Sequence, residues 1–433
     1  MAAFVRNPLE VVPQQAYEED FVRFGGSRSP RAWVTSPGGV KAVLLDERDK
    51  FRKLTQIRLL RPLLGSGILT SEGSDWKWQR QAASPMFRPA ELAAFVPAFV
   101  RAGQARLKAW RAQPPGSLQA IDEEMTLATF DVIAATLLPS SDRELGLSIQ
   151  GSVAALQKSG GWDILFAAMN LPQWLPRPGM MAEVRAMKTL RSTVAAYIRD
   201  QRERTVMPGL TEDLTQRLIA ARDPESGLQM SDERLVDNVL TFFLAGHETT
   251  AKALAWTLFL LARYPEWAAR LEEEIERVVG KGPLGAQHID QLVLTQQVLK
   301  ESMRLYPPVP IMSRQAVADV EVEGHAVKPG TSLLIPIYAL HRHARRWADP
   351  DAFRPERFAP ENEAAIPRYQ YMPFGAGPRV CVGRAFATME AVALLATFVR
   401  HARFELSGGP EPRPVARVTL LAKGGLPLRV TPR

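Results

Sequence analysis

The sequence predicts a mainly α-helical protein with small peripheral β-sheets, built as a single domain over residues 1–433. Three observations carry that prediction. Apolar residues recur at helical spacing over long stretches, period-two alternation is confined to a few short ones, and one helical stretch near the middle is apolar on almost every side. A helix of that last kind must pass through the interior of a large protein.

Taken in order, residues 1–30 read as an N-terminal extension and Ala32 to Val34 as the first strand. Trp76 and Arg80 share a helix face at i and i+4. Helical patterns follow over 90–111, 121–138 and 180–204, and Pro176, Pro178 and Gly179 mark Leu175 to Met181 as a mobile lid between helices. The longest pattern covers 231–263. Ser231 can cap it, Asp232 and Glu233 suit its first turn, and Pro265 ends it. Its roughly 30 residues would span ~45 Å at 1.5 Å per residue. Further patterns cover 265–279, 290–305 and 384–400, while strand-like alternation appears over Val320 to Val327, Ser332 to Ile335 and Val418 to Val430. The 34 prolines are scattered through loops, and no internal repeat is visible.

Composition narrows the function classes. With 46% apolar and 23% charged residues the chain is an ordinary globular protein. Its net charge of +8, without a Lys/Arg block, suits an acidic partner surface better than nucleic acid. No apolar stretch approaches the roughly 18 residues of a membrane span, so no membrane anchor is expected. Arg6 and the run Glu18, Glu19, Asp20 leave no room for a secretory apolar region, which predicts a cytoplasmic location. Cys381 is the only cysteine, which excludes internal disulfides and multi-cysteine metal clusters. His341 and His343 sit in a stretch that reads as a polar loop, and two ligands are too few for a metal site.

Around that cysteine the sequence reads Phe374-Gly375-Ala376-Gly377-Pro378-Arg379-Val380-Cys381-Val382-Gly383, directly before a helical pattern. Free N–H groups and the helix dipole at such a site favour a thiolate, and a thiolate suits a metal. The segment matches Phe-x-x-Gly-x-Arg-x-Cys-x-Gly at every fixed position and resembles the heme-binding loop of the cytochrome P-450 superfamily. That resemblance implies heme b with an axial thiolate from Cys381, dioxygen as co-substrate, a long central helix over the heme and the cysteine loop below it. Phe374, Arg379 and Gly383 then belong to the cofactor site.

Two further segments support the resemblance. Glu301-Ser302-Met303-Arg304 precedes a Pro-Pro stop and then Pro355-Glu356-Arg357-Phe358, so Glu301, Arg304 and Arg357 would form a buried charge network behind the cysteine loop. A second Glu-x-x-Arg, Glu274 and Arg277, reads as a solvated pair. In the central helix, Ala245-Gly246-His247-Glu248-Thr249-Thr250 resembles the family's oxygen-activating groove. By that likeness Ala245 and Gly246 leave room for dioxygen, Thr249 hydrogen-bonds it and Glu248 relays protons, with His247 structural or at the pocket rim. A carboxylate in an apolar helix needs a partner or a task in any case. Trp76, Arg80 and Arg379 would pair with the heme carboxylates. Arg314 matches a weaker position for the same role and reads equally well as a surface cation.

The resemblance places an apolar substrate among the loop Leu59 to Leu69, Trp162 to Met181, Phe242, Phe243, Val309, Ile311, Met312 and the segment Val418 to Leu421, Leu420 included. The expected activity is hydroxylation or epoxidation of an apolar small molecule, such as a fatty acid or terpenoid. Electrons would come from a separate ferredoxin or flavodoxin, because no flavin or iron–sulfur domain follows the terminal β region. Residues 74–111 carry seven cations (Lys77, Arg80, Arg88, Arg101, Arg106, Lys108, Arg111) against Asp75 and Glu91, which suits an acidic donor. A peroxide-using or non-oxygenating heme-thiolate enzyme is the rival within catalysis, and retention of both Glu248 and Thr249 argues against it. A heme-binding gas sensor or carrier is the rival outside it, and the sequence shows no signalling domain.

Overall fold

Helix α1 (Leu54–Leu64) replaces most of the loop expected at 59–69, and it tolerates Pro62 inside it. In this computed structural model the described residues are 7–26, 30–138, 151–152, 175–176, 178–203, 214–223 and 226–433. The stretch 162–174 of the expected pocket, and Arg177 of the expected lid, lie outside them. The other long helices are α2 (Gly73–Ala83), α3 (Val96–Arg111), α4 (Ile121–Leu137), α5 (Met180–Glu203), α6 (Leu214–Ala220), α7 (Asp232–Arg263), α8 (Pro265–Val279), α9 (Val293–Leu305) and α10 (Arg384–His401).

The pattern over 90–111 is interrupted, with a helical turn at Pro89–Leu92 and a tighter one at Ala93–Phe95 before α3. Pro89 and Pro97 explain the break, since neither can donate to the turn before it and each starts a helix more readily than it continues one. Helix α7 begins as expected: Ser231 Oγ accepts from Arg234 N at 3.3 Å, and Ser231 O accepts from Leu235 N at 2.9 Å.

The strands are more numerous than the alternation suggested. β1 (Phe21–Phe24), β2 (Arg31–Val34), β3 (Phe51–Arg52), β5 (Met312–Ala316) and β8 (Ser332–Ile335) form one sheet in the order β1-β2-β8-β5-β3. Residues 21–24, expected within an extension, are therefore its edge strand, paired Phe21 to Val34. β4 (Ser117–Ala120) joins β12 (Pro427–Pro432) and β9 (Ala402–Leu406) in a second sheet, and β10 (Arg413–Ala416) pairs with β11 (Leu420–Lys423). The stretch 418–430 thus supplies two strands to two sheets. The stretch 320–327 is likewise a hairpin, β6 (Val320–Val322) and β7 (His325–Val327), turned at Glu323 and Gly324. Both turn residues have positive φ, 52° and 74°, the mirror-image turn that matches strand twist.

Two compact units result, one from the chain up to Lys53, Val96–Thr129 and Glu248–Arg433, the other from Leu54–Phe95 and Phe130–His247. In the first, Trp110 and Phe398 pack α3 on α10 with ring centres 5.2 Å apart, and a further core (Val34, Val40, Phe51, Leu333, Ile337) lies under the five-stranded sheet. In the second, Asn238 and Asp237 of α7 hold the 65–68 turn: Asn238 Oδ1 accepts from Ile68 N at 3.0 Å and Asp237 Oδ2 from Ser66 N at 2.7 Å. Asn238 Nδ2 also donates to Gln79 Oε1 of α2 at 2.8 Å.

Candidate active site

The cysteine loop is shaped by close backbone approach. Gly375 and Gly377 have φ of 71° and 70°, and a Cβ on Gly377 would lie 2.3 Å from Leu44 O. Only glycine fits there. Cys381 N donates to Phe374 O at 2.9 Å, and Gly375 N donates to Met372 O at 2.9 Å, which closes the loop on itself. Gly383 then serves as N-cap of α10. Cys381 is exposed, although a lone cysteine is among the residue types most often buried. A thiol presented openly on a rigid loop ahead of a helix fits the role of an axial heme ligand. Phe374, Arg379 and Gly383 are each half-buried around it.

Behind the loop lies the charge network. Arg304 Nε and Nη2 donate to Glu301 Oε2 and Oε1 at 2.7 and 2.8 Å, a bidentate pair whose side chains have no exposed surface. Arg357 Nε reaches Glu301 Oε1 at 3.3 Å, and Arg354 N donates to the same oxygen at 2.8 Å. Arg304 also donates to the carbonyls of His341, Pro350 and Ala352 at 2.9, 2.6 and 2.9 Å. The Trp347 ring lies 5.1 Å from its guanidinium carbon.

His341 is the link that sequence reasoning missed. It is wholly buried, not in a polar loop, and its Nε2 accepts from Met372 N at 2.9 Å. Burial, and then the charges of Arg304 and Arg342, push its imidazole down to about 3, so it stays neutral and can accept. The network thereby reaches the cysteine loop through Arg304, the His341 backbone, the His341 ring and Met372. His343 is buried too, so both histidines are core residues.

Glu274 also departs from expectation. Instead of a solvated pair with exposed Arg277, its buried carboxylate accepts from Leu294 N, Thr295 N and Thr295 Oγ1 at 2.6, 2.9 and 2.8 Å. It thus caps α9, which carries Glu301 and Arg304.

At the middle of α7 burial lapses. Ala245 is exposed and Gly246, Glu248 and Thr249 are half-buried, between stretches that are almost continuously buried. A small exposed residue in a core helix leaves open space beside it, which fits a groove for a cofactor and a small gas. His247 is buried, with its Nδ1 2.8 Å from Phe243 O and its ring against Phe130, so it is structural. Glu248 Oε1 accepts from Thr419 Oγ1 at 2.7 Å. Thr250 hydrogen-bonds Glu390 of α10, a buried carboxyl that desolvation pushes well above its ordinary value.

Trp76 and Arg80 are half-buried on α2. Arg314 is 7% exposed on β5, which removes its reading as a surface cation. Of the expected pocket residues, Phe242 meets the edge of Phe87 at 5.4 Å and Phe243 packs on Phe130 at 5.2 Å. Ile311 packs into a small core with Val12, Ala16 and Trp33, which is scaffold packing. The side chain of Met312 lies 3.6 Å from the position of a Cβ on Gly375, beside the cysteine loop. Leu420 is fully buried, with its N–H donating to Pro308 O at 2.9 Å, which brings it next to half-buried Val309. Among the described residues no cluster of three or more His, Cys, Asp or Glu could hold a metal ion, and no helix is long and apolar enough to cross a membrane.

Comparison with known proteins agrees with this geometry. The family model described as "Cytochrome P450" matches residues 7–428. Cyclooctat-9-en-7-ol 5-monooxygenase of Streptomyces melanosporofaciens is 32% identical over 441 aligned positions, covering 100% of this chain and 92% of that protein. The 11-oxo-beta-amyrin 30-oxidase of Medicago truncatula is 32% identical, covering 92% of this chain and 78% of its own. The crystal structure of the cytochrome P450DA heme domain superposes with a TM-score of 0.85 at 25% identity, covering 96% of this chain and 90% of that one. The chain belongs to the cytochrome P450 family, as a heme-thiolate monooxygenase that carries heme b on a cysteine thiolate and consumes dioxygen.

Proposed function

We propose that the protein hydroxylates or epoxidises an apolar small molecule of the terpenoid or fatty-acid class, with electrons from a separate ferredoxin or flavodoxin. The observation that carries the reading is the break in burial at Ala245 to Thr249, where an apolar helix presents a small open surface next to a carboxylate and a hydroxyl. The relatives named for a cyclooctatenol and an amyrin support the terpenoid side of the class.

When bound, the heme supplies the activation of dioxygen. Cys381 is its ligand in this reading, and the glycine turns at 375 and 377 hold the sulfur still. Trp76, Arg80, Arg314 and Arg379 are the residues that would hold the heme carboxylates, through charge-assisted hydrogen bonds. Thr249 would offer its hydroxyl as a hydrogen-bond donor in the open part of the helix, and Glu248 would exchange protons through the carboxylate oxygen that Thr419 does not hold. Glu301, Arg304 and Arg357 act at a distance, by fixing the loop that bears the cysteine.

Two measurements test this. The ferrous carbon-monoxide adduct should show the red-shifted Soret band of a thiolate-ligated heme, and Cys381→His should abolish it. Titrating the ferric protein with cyclic terpene alcohols and with medium-chain fatty acids should then give a Soret shift for one class. An unchanged spectrum in the variant would remove Cys381 from its role, and no shift with either class would overturn the substrate assignment.

A further inference from the structure

We propose that Thr419 is a positioning residue for proton delivery: its hydroxyl orients the Glu248 carboxylate, and through it the turn before β11 sets how well dioxygen activation is coupled to substrate oxidation. The inference rests on the reading of Glu248 as a proton carrier and extends it to a residue outside the helix.

Thr419 Oγ1 donates to Glu248 Oε1 at 2.7 Å. Thr419 is buried, at 3% exposure, so the donor end of this bond is shielded from water although the half-buried Glu248 is not. The turn that carries it is held by three hydrogen bonds. Thr419 O accepts from Arg417 N at 2.9 Å, Leu420 N donates to Pro308 O at 2.9 Å, and Leu420 O accepts from Trp256 Nε1 at 3.5 Å. Trp256 itself stacks flat on Tyr306, with centres 3.9 Å apart and planes 5° from parallel. The hydroxyl is thus held as rigidly as a core group, whereas a glutamate on a helix has three rotatable bonds and little of its own to fix them.

The consequence is geometric. Consecutive helix residues point about 100° apart, so Glu248 and Thr249 diverge from α7 and a freely rotating carboxylate would spend little time near the hydroxyl it serves. One bond from Thr419 fixes one carboxylate oxygen and leaves the other for proton exchange. Thr419 directly precedes Leu420, whose N–H donates to Pro308 O, so the turn that orients the acid is tied to the segment that carries Val309.

The test uses the heme-loaded protein with dodecanoic acid as probe and a plant-type ferredoxin with its reductase as donor. The readouts are peroxide released per dioxygen consumed and the solvent deuterium isotope effect on dioxygen consumption, neither of which needs an identified product. Thr419→Val should raise the peroxide fraction about threefold and enlarge the isotope effect, while Thr419→Ser restores both to within about twofold of the parent. The double variant Glu248→Gln with Thr419→Val should be no worse than Glu248→Gln alone. If Thr419→Val fails to retain heme, Thr419→Ala against Thr419→Ser gives the same comparison. Should Glu248→Gln change both readouts while the loss of the Thr419 hydroxyl changes neither, the inference is overturned and the role of Glu248 stands. Should Glu248→Gln change neither, the reading of Glu248 falls and this inference with it.

Discussion

Glu274 closes on Thr295 twice, its Oε2 accepting from the Thr295 backbone N–H at 2.9 Å and from the hydroxyl at 2.8 Å. With Leu294 N on Oε1, a single buried carboxylate satisfies two of the N–H groups that the start of α9 would otherwise leave without partners. A negative charge there also meets the positive end of the helix dipole. Glu274 and Glu301 therefore act on opposite ends of one helix, the first by anchoring its start and the second by charge pairing near its end.

The two glutamates should fail differently. Glu274→Gln keeps one acceptor and should cost about 1–3 kcal/mol, lowering Tm while heme is still bound. Glu301→Gln leaves the fully buried Arg304 guanidinium without its counter-charge and should cost about 3–5 kcal/mol, giving protein that does not retain heme. Thermal melts and the heme-to-protein absorbance ratio separate the two, and equal loss of heme in both variants would contradict the assignment.

His341 makes stability depend on pH with a definite sign. Its folded value lies near 3 against 6.5 for an ordinary histidine, so the folded state binds fewer protons over that window. The stability it contributes is complete above about pH 6.5 and is lost as pH falls toward about 3. His341→Gln, which can also accept from Met372 N, should flatten the fall in Tm between about pH 7 and about pH 5. A parallel fall in both proteins would show that other groups dominate acid unfolding.

Thr249→Ala removes a hydroxyl from the open part of α7 without adding bulk. Substrate-induced Soret shifts should persist, while reducing equivalents divert to peroxide by about tenfold or more. Unchanged coupling would exclude Thr249 from oxygen activation.

The basic stretch 74–111 gains weight from its acids. Asp75 is engaged by Arg234, and Glu91 by Arg217 at 3.1 Å, so neither is committed to a cation within the stretch. Lys77 and Arg88 are exposed, as are Arg101, Lys108 and Arg111 along one face of α3. Lys77→Glu or Arg88→Glu should slow reduction by an acidic donor, and the effect should fade with salt as screening shortens to roughly 8–10 Å. Stopped-flow reduction at low and high ionic strength checks it. A rate indifferent to both changes would assign docking elsewhere.

By itself the sequence determined most of the long helices and the glycine-rich frame of the cysteine loop. Periodicity located α4, α7, α8 and α10 within a residue or two, because burying one face of a helix is a local constraint written at fixed spacing. The glycines around Cys381 were legible for a similar reason, since only glycine meets the backbone's demand there. Only the tertiary structure placed Glu274 as the buried cap of α9, turned His341 from a loop residue into the link between Arg304 and Met372, and gave Glu248 its partner in Thr419. Each of those outcomes depends on groups from 20 to 171 residues away. A polar side chain's role is set by whatever the fold brings to its buried end, and residue spacing along the chain carries no record of that partner.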